Sequence, residues 1–246
     1  MSILRKILVT TISILTFFAI SACAKIDSKA KIANIPEASG ISYCSNSNTL
    51  IVANDEGSLY ELTTNGKILL QKKLGDYDLE GVVCEEKQFT FAVEGGSLLV
   101  VNRKTLDKKE FKVRGKGVKI GKKHGIEGIV KIGNLYYYLS IQSKKKREKA
   151  NLLRVKLGST YAKITEVINH RVIDSAGLEY RNNLLYIVSD KKDKLYIYDL
   201  KREKVLKKVK LPKFAQEGIT FDNSGNVYFA DDNGAVFKYR VEEFGL

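Results

Sequence analysis

Three glutamates recur at one place in a repeated motif. Glu80, Glu127 and Glu217 each precede a glycine and an aliphatic residue, in Leu79-Glu80-Gly81-Val82, Ile126-Glu127-Gly128-Ile129 and Gln216-Glu217-Gly218-Ile219. A second group of acids, Asp55, Glu94, Asp190 and Asp231, closes apolar runs that follow the motif. Carboxylates held close raise one another's pKa unless a cation neutralises them. Several carboxylate oxygens suit Ca²⁺, which accepts roughly six to eight oxygen ligands in flexible geometry. Glu80, Glu127 and Glu217 are therefore the expected metal ligands, with the other four acids on the same face. The same acids would also serve to hold turns by accepting bonds from neighbouring backbone amides.

Other reactive constellations are sparse. The chain has two histidines. His124 lies three residues before Glu127 and is the candidate base, or the group that assists a metal-bound water. His170 has Asp174 in the next turn and no nucleophile at informative spacing. No Gly-x-Ser-x-Gly elbow occurs, and no close His/Cys pair could hold zinc. Two lysine-rich loops, residues 114–123 and 144–149, are expected on the face that carries the acids. They would either steer an anionic ligand or remain solvated. The glycines of the first do not fit a dinucleotide fingerprint.

The elements that must position these acids repeat as well. The motif also occurs as Ala38-Ser39-Gly40-Ile41 and Ser175-Ala176-Gly177-Leu178, with serine or alanine in place of glutamate. Recurrence at about forty residues marks a blade-by-blade architecture. Each interval holds room for four strands. In the first these are Gly40–Cys44, Thr49–Ala53, Ser58–Leu62 and Lys67–Leu74, separated by Glu-Gly and Asn-Gly turns. The last repeat supplies three strands, and Ala30–Ile35 supplies the missing outer one. The expectation is an all-β, five-bladed β-propeller over residues 30–246, its last blade closed by an N-terminal strand. In a blade the first strand starts and the second strand ends on one face, so both groups of acids share it. Ser39 and Ala176 in place of glutamate favour a site lined by blades two, three and five.

The recurring Glu-Gly-aliphatic motif, with Ser39-Gly40-Ile41 opening the series, resembles the SdiA-regulated proteins over about Ile35 to Tyr239. These are exported bacterial propellers related to NHL-repeat and gluconolactonase-like groups. The resemblance implies five blades and bound calcium, and it is uninformative about activity.

The chain start carries a different signal. Arg5 and Lys6 precede an apolar run from Ile7 to Ile20, the layout of a secretory signal rather than a membrane span. The run ends Ile20-Ser21-Ala22-Cys23, which resembles a bacterial lipobox. Residues 1–22 are then a signal peptide, Cys23 the lipidated N-terminus, and residues 23–29 a short linker. A plain signal peptide with an incidental cysteine is the alternative. Ala24 in place of aspartate favours the outer membrane, with the body facing the periplasm. Net charge is +14, of which two positive charges belong to the signal. The lysine excess suits a solubilising surface, an anionic small molecule or a lipid surface, and export argues against nucleic acid. Cys44 and Cys84 are left either as a disulfide or as two buried thiols, because their offsets from the repeat glycines differ by one residue.

Two functions fit. One is a lipid-anchored envelope protein that binds calcium and presents its channel face to a ligand or protein partner. The other is a calcium-dependent hydrolase of lactonase or phosphoesterase type, with His124 or a carboxylate as base. A narrow channel and so few histidines favour the non-catalytic reading.

Overall fold

The computed structural model describes residues 28–121, 124–141, 143 and 146–246. The signal segment, Cys23 and nearly all of the linker lie outside them, as do Lys122, Lys123, Lys144 and Lys145 of the two basic loops. The described residues form an all-β chain whose helical turns are short 3-10 segments. No helix among them is long and apolar enough to cross a membrane.

A short strand β1 (Lys31–Ala33) precedes a meander of β2 (Ala38–Cys44), β3 (Thr49–Asn54), β4 (Ser58–Thr63) and β5 (Ile68–Lys73). The second meander is β6 (Leu79–Cys84), β7 (Gln88–Val93), β8 (Ser97–Asn102) and β9 (Lys108–Arg114). The third is β10 (Ile126–Ile132), β11 (Tyr136–Ile141), β12 (Asn151–Leu157) and β13 (Ala162–Asn169). The fourth is β14 (Leu178–Arg181), β15 (Leu184–Ser189), β16 (Lys194–Asp199) and β17 (Lys204–Lys210). The chain ends with β18 (Gln216–Phe221), β19 (Asn226–Asp231) and β20 (Ala235–Arg240), and β1 pairs with β20 to complete that sheet. The second and third meanders join into one eight-stranded sheet through β9 and β13, which run parallel over Val113↔Ala162 and Arg114↔Lys163.

Sequence explains most of these boundaries. The hairpin between β3 and β4 needs positive φ at Gly57 (81°), where the glycine amide donates to the Asn54 carbonyl at 2.9 Å. β3 is buried at all six positions because both its faces pack on neighbouring sheets, whereas β5 is almost wholly exposed. The N-terminal strand is shorter than expected. Ala30 belongs to a 3-10 turn, and a register shift lies between Lys31 and Ala33, although Ile35 still donates to the Gly234 carbonyl.

The first strands lie side by side in a closed ring: β2 against β6, β6 against β10, β10 against β14, β14 against β18, and β18 against β2. The repeat glycines explain how strands come so near. A Cβ on Gly40 would sit 2.4 Å from the Gly81 Cα, and one on Gly177 would sit 2.7 Å from the Gly218 Cα. The void among them is about 10 Å³, around the minimum for one water. The axis is closed at the glycines, which leaves two separate mouths.

An apolar cluster fills each space between successive meanders. Between the first two it contains Ile51, Phe89 and Phe91, together with Cys44. There Cys44 and Cys84 form a disulfide, with Cα atoms 5.5 Å apart. The odd difference in offset, which left the pairing open, is what permits it. Side chains alternate between strand faces, and stacked sheets meet through opposite faces. Cys44 shares a face with Ser42 and Gly40, toward the second meander. Cys84 shares the other face type with Val82, toward the first.

Candidate functional site at the acidic mouth

The motif glutamates owe their position to β-bulges. Pairing skips from Leu79↔Val93 to Gly81↔Ala92, from Ile126↔Ile141 to Gly128↔Ser140, and from Gln216↔Asp231 to Gly218↔Ala230. Glu80, Glu127 and Glu217 are the skipped residues. A bulge re-aims its extra side chain, here at the entrance of the first-strand ring. Ser39 is skipped in the same way in β2, and its hydroxyl donates to the Leu79 carbonyl.

The carboxyls sense one another. Burial pushes Glu80 up to about 11, reinforced by the charges of Glu127, Asp55, Glu217 and Asp78. Glu217 is raised well above the ordinary carboxylate range by burial, then by Glu127, Asp190, Asp174 and Asp232. Burial also lifts Asp55 to about 7, with the charges of Asp78, Asp232 and Glu37 adding to it and the nearby polar Ser39 opposing it. One carboxylate oxygen from each of Asp55, Asp78 and Glu80 lies within 4.8 Å of the other two. Asp55 Oδ1 is buried without a hydrogen-bond partner. This donor set is all carboxyl oxygen, and it fits a hard divalent cation.

The remaining expected residues separate into roles. Asp190 is raised by burial and by Asp174 and Asp193, and so belongs electrostatically to the mouth. Asp231 has turn-holding duties: its Oδ1 accepts from the Ala215 amide at 2.9 Å and from Asn233. The Glu94 side chain lies over Gly125, where a Cβ would sit 2.3 Å from its Cγ. His124 is held by paired backbone bonds with Gly121, of 2.7 and 3.2 Å, in the loop before β10.

His170 differs from the sequence expectation, because Ser175 Oγ lies 3.4 Å from its Nε2. Its Nδ1 accepts the Val172 amide at 3.1 Å. That leaves the proton on Nε2, so the ring is not poised to deprotonate the serine. Burial lowers His170 to about 4. It is a neutral core residue.

Sequence reasoning missed Asp78, Asp174 and Asp232. All three lie in connections, where neither strand periodicity nor the motif points to them. Asp78 is two residues before Glu80, and its carbonyl accepts the Glu94 amide at 2.9 Å.

A family model described as SdiA-regulated matches residues 21–240. The chain belongs to the SdiA-regulated family. Solved structures similar to this SdiA-regulated chain include Myxococcus xanthus glutaminyl cyclase, at 13% identity and a TM-score of 0.65, covering 85% of this chain and 92% of that one. A streptogramin B lyase aligns at 12% identity and a TM-score of 0.50, covering 84% and 70% respectively. At these identities the likeness is one of fold: all-β and propeller-like. No curated protein sequence matches the chain.

Proposed function

We propose that this SdiA-regulated protein is a five-bladed propeller that binds one Ca²⁺ at its acidic mouth and presents that mouth to a ligand or protein partner in the cell envelope. The blade count treats the eight-stranded sheet as two blades touching through two residue pairs, and it agrees with the closed ring of first strands.

The observation that carries the metal reading is the convergence of bulged glutamates from separate meanders into one coupled group. Glu80 is the central ligand, Asp55 and Asp78 complete its near set, and Glu127 and Glu217 supply further negative charge. A bound cation would let these carboxyls ionise together. The closed axis favours a binding module over a hydrolase.

The domain plan is a signal peptide over residues 1–22, lipidation at Cys23, a linker to residue 29 and the propeller over 30–246. The result is a lipid-anchored protein, facing the periplasm from the outer membrane. The Cys44–Cys84 disulfide supports an oxidising compartment. Calorimetric titration with Ca²⁺ tests the site. One binding event is expected for the protein and none for the Glu80→Gln/Glu127→Gln variant. Unchanged binding in the variant would remove the glutamates from the site.

A further inference from the structure

The mouth opposite the acids is a blind cavity of about 920 Å³. Its floor is the aliphatic layer just beyond the repeat glycines: Ile41, Val82, Ile129 and Leu178. Its wall is polar. Glu85 is fully engaged there, paired with Lys131 and accepting from Tyr137 (2.5 Å), Thr90 (2.9 Å) and Gln88 (3.0 Å). Asp222 is also engaged, by Asn226, Ser224 and Tyr228.

Arg181 is the exception. Its guanidinium stacks 5.2 Å from the Phe221 ring centre and, among the described residues, makes no hydrogen bond or ion pair. The neighbouring Glu179 carboxyl accepts from Thr220 at 2.7 Å and from the Tyr180 amide at 2.8 Å. Burial lifts Glu179 to about 7, which weakens its claim on Arg181.

A half-buried guanidinium stacked on an aromatic ring, with its donors unused, matches a planar carboxylate. The carboxyls of Glu85, Glu179 and Asp222 around Arg181 disfavour a dianion such as phosphate, and Lys87, the other cation on the lining besides the paired Lys131, is turned to solvent. The volume suits a small organic molecule, and the aliphatic floor suits an apolar body. We propose that this cavity is a second binding site, for a monocarboxylate with an apolar body, whose carboxylate rests on Arg181. It shares no residue with the acidic mouth and does not depend on calcium.

The test is calorimetric titration of the purified protein with octanoate, octan-1-ol and octylammonium. Octanoate is expected to bind saturably at one site, with the alcohol and the amine at least about tenfold weaker, the scale of one lost charged hydrogen bond. Arg181→Leu should weaken octanoate by the same factor, and Arg181→Lys should lose less. An unchanged thermal midpoint in both variants checks that each folds. Equal binding of octylammonium, octanoate affinity indifferent to Arg181→Leu, or no saturable octanoate binding would each overturn the proposal. The ligand comparison on the unsubstituted protein decides the matter even if a variant fails to fold.

Discussion

Cys44 and Cys84 bond across neighbouring first strands, so a covalent link spans the first two meanders beside the closed axis. Their separation of 40 residues closes a loop worth about 4 kcal/mol in unfolded-chain entropy. The Cys44→Ser/Cys84→Ser variant should therefore lose about 2–4 kcal/mol in urea unfolding. A loss below about 0.5 kcal/mol would mean that the bond constrains little.

The glycine ring should tolerate no side chain. Gly40→Ala places a Cβ 2.4 Å from the Gly81 Cα, backbone against backbone, with no flexible group to yield. Overpacking of this kind costs about 1–3 kcal/mol. Gly95→Ala is the control, because nothing lies within 4 Å of its added Cβ. Equal unfolding midpoints for the two variants would refute the close-approach explanation of the motif.

Acid should weaken the fold partly through His170. Its folded value of about 4 lies below the 6.5 of a free imidazole. Between those values the unfolded chain binds the proton and the folded one does not, so stability falls as pH drops through that window. The full effect is about 3 kcal/mol, already present at pH 7 and lost toward pH 4. His170→Gln should flatten the slope of unfolding free energy between pH 6.5 and 4. An unaltered slope would place the acid sensitivity elsewhere.

The acidic mouth has the opposite sign. Glu80 and Asp55 have folded values above their unfolded ones. Without a cation, the stability they contribute is present below about pH 4 and declines as pH rises, for Asp55 through about 7. Calcium binding must displace the remaining protons. Its affinity should rise from pH 6 to pH 8, and titrations in buffers of different ionisation enthalpy should register proton release. Affinity that does not vary with pH would contradict a site built on these carboxyls.

Much of this was legible in the sequence, for physical reasons. Thr49–Asn54 and Ser58–Thr63 are bounded within one residue of expectation, since apolar runs between turn residues fix strand ends. The glutamates were visible because a motif repeats them. Their bulge was not, because a skipped pairing leaves no mark in composition or period. Asp78 escaped because a connection follows no period. The cavity around Arg181 escaped because its parts come from several sheets, with nothing repeated among them. Cys44 and Cys84 were read by offset alone, and only the stacking of successive sheets shows why an odd difference brings them together.

The central claim is a cation held at the mouth by Glu80 and its neighbours. Anomalous diffraction from a crystal grown with calcium tests it most directly. One peak is expected, with oxygens of Glu80, Asp55 and Asp78 at about 2.3–2.6 Å. A mouth without a peak at saturating calcium, or a peak ligated by other residues, would contradict it.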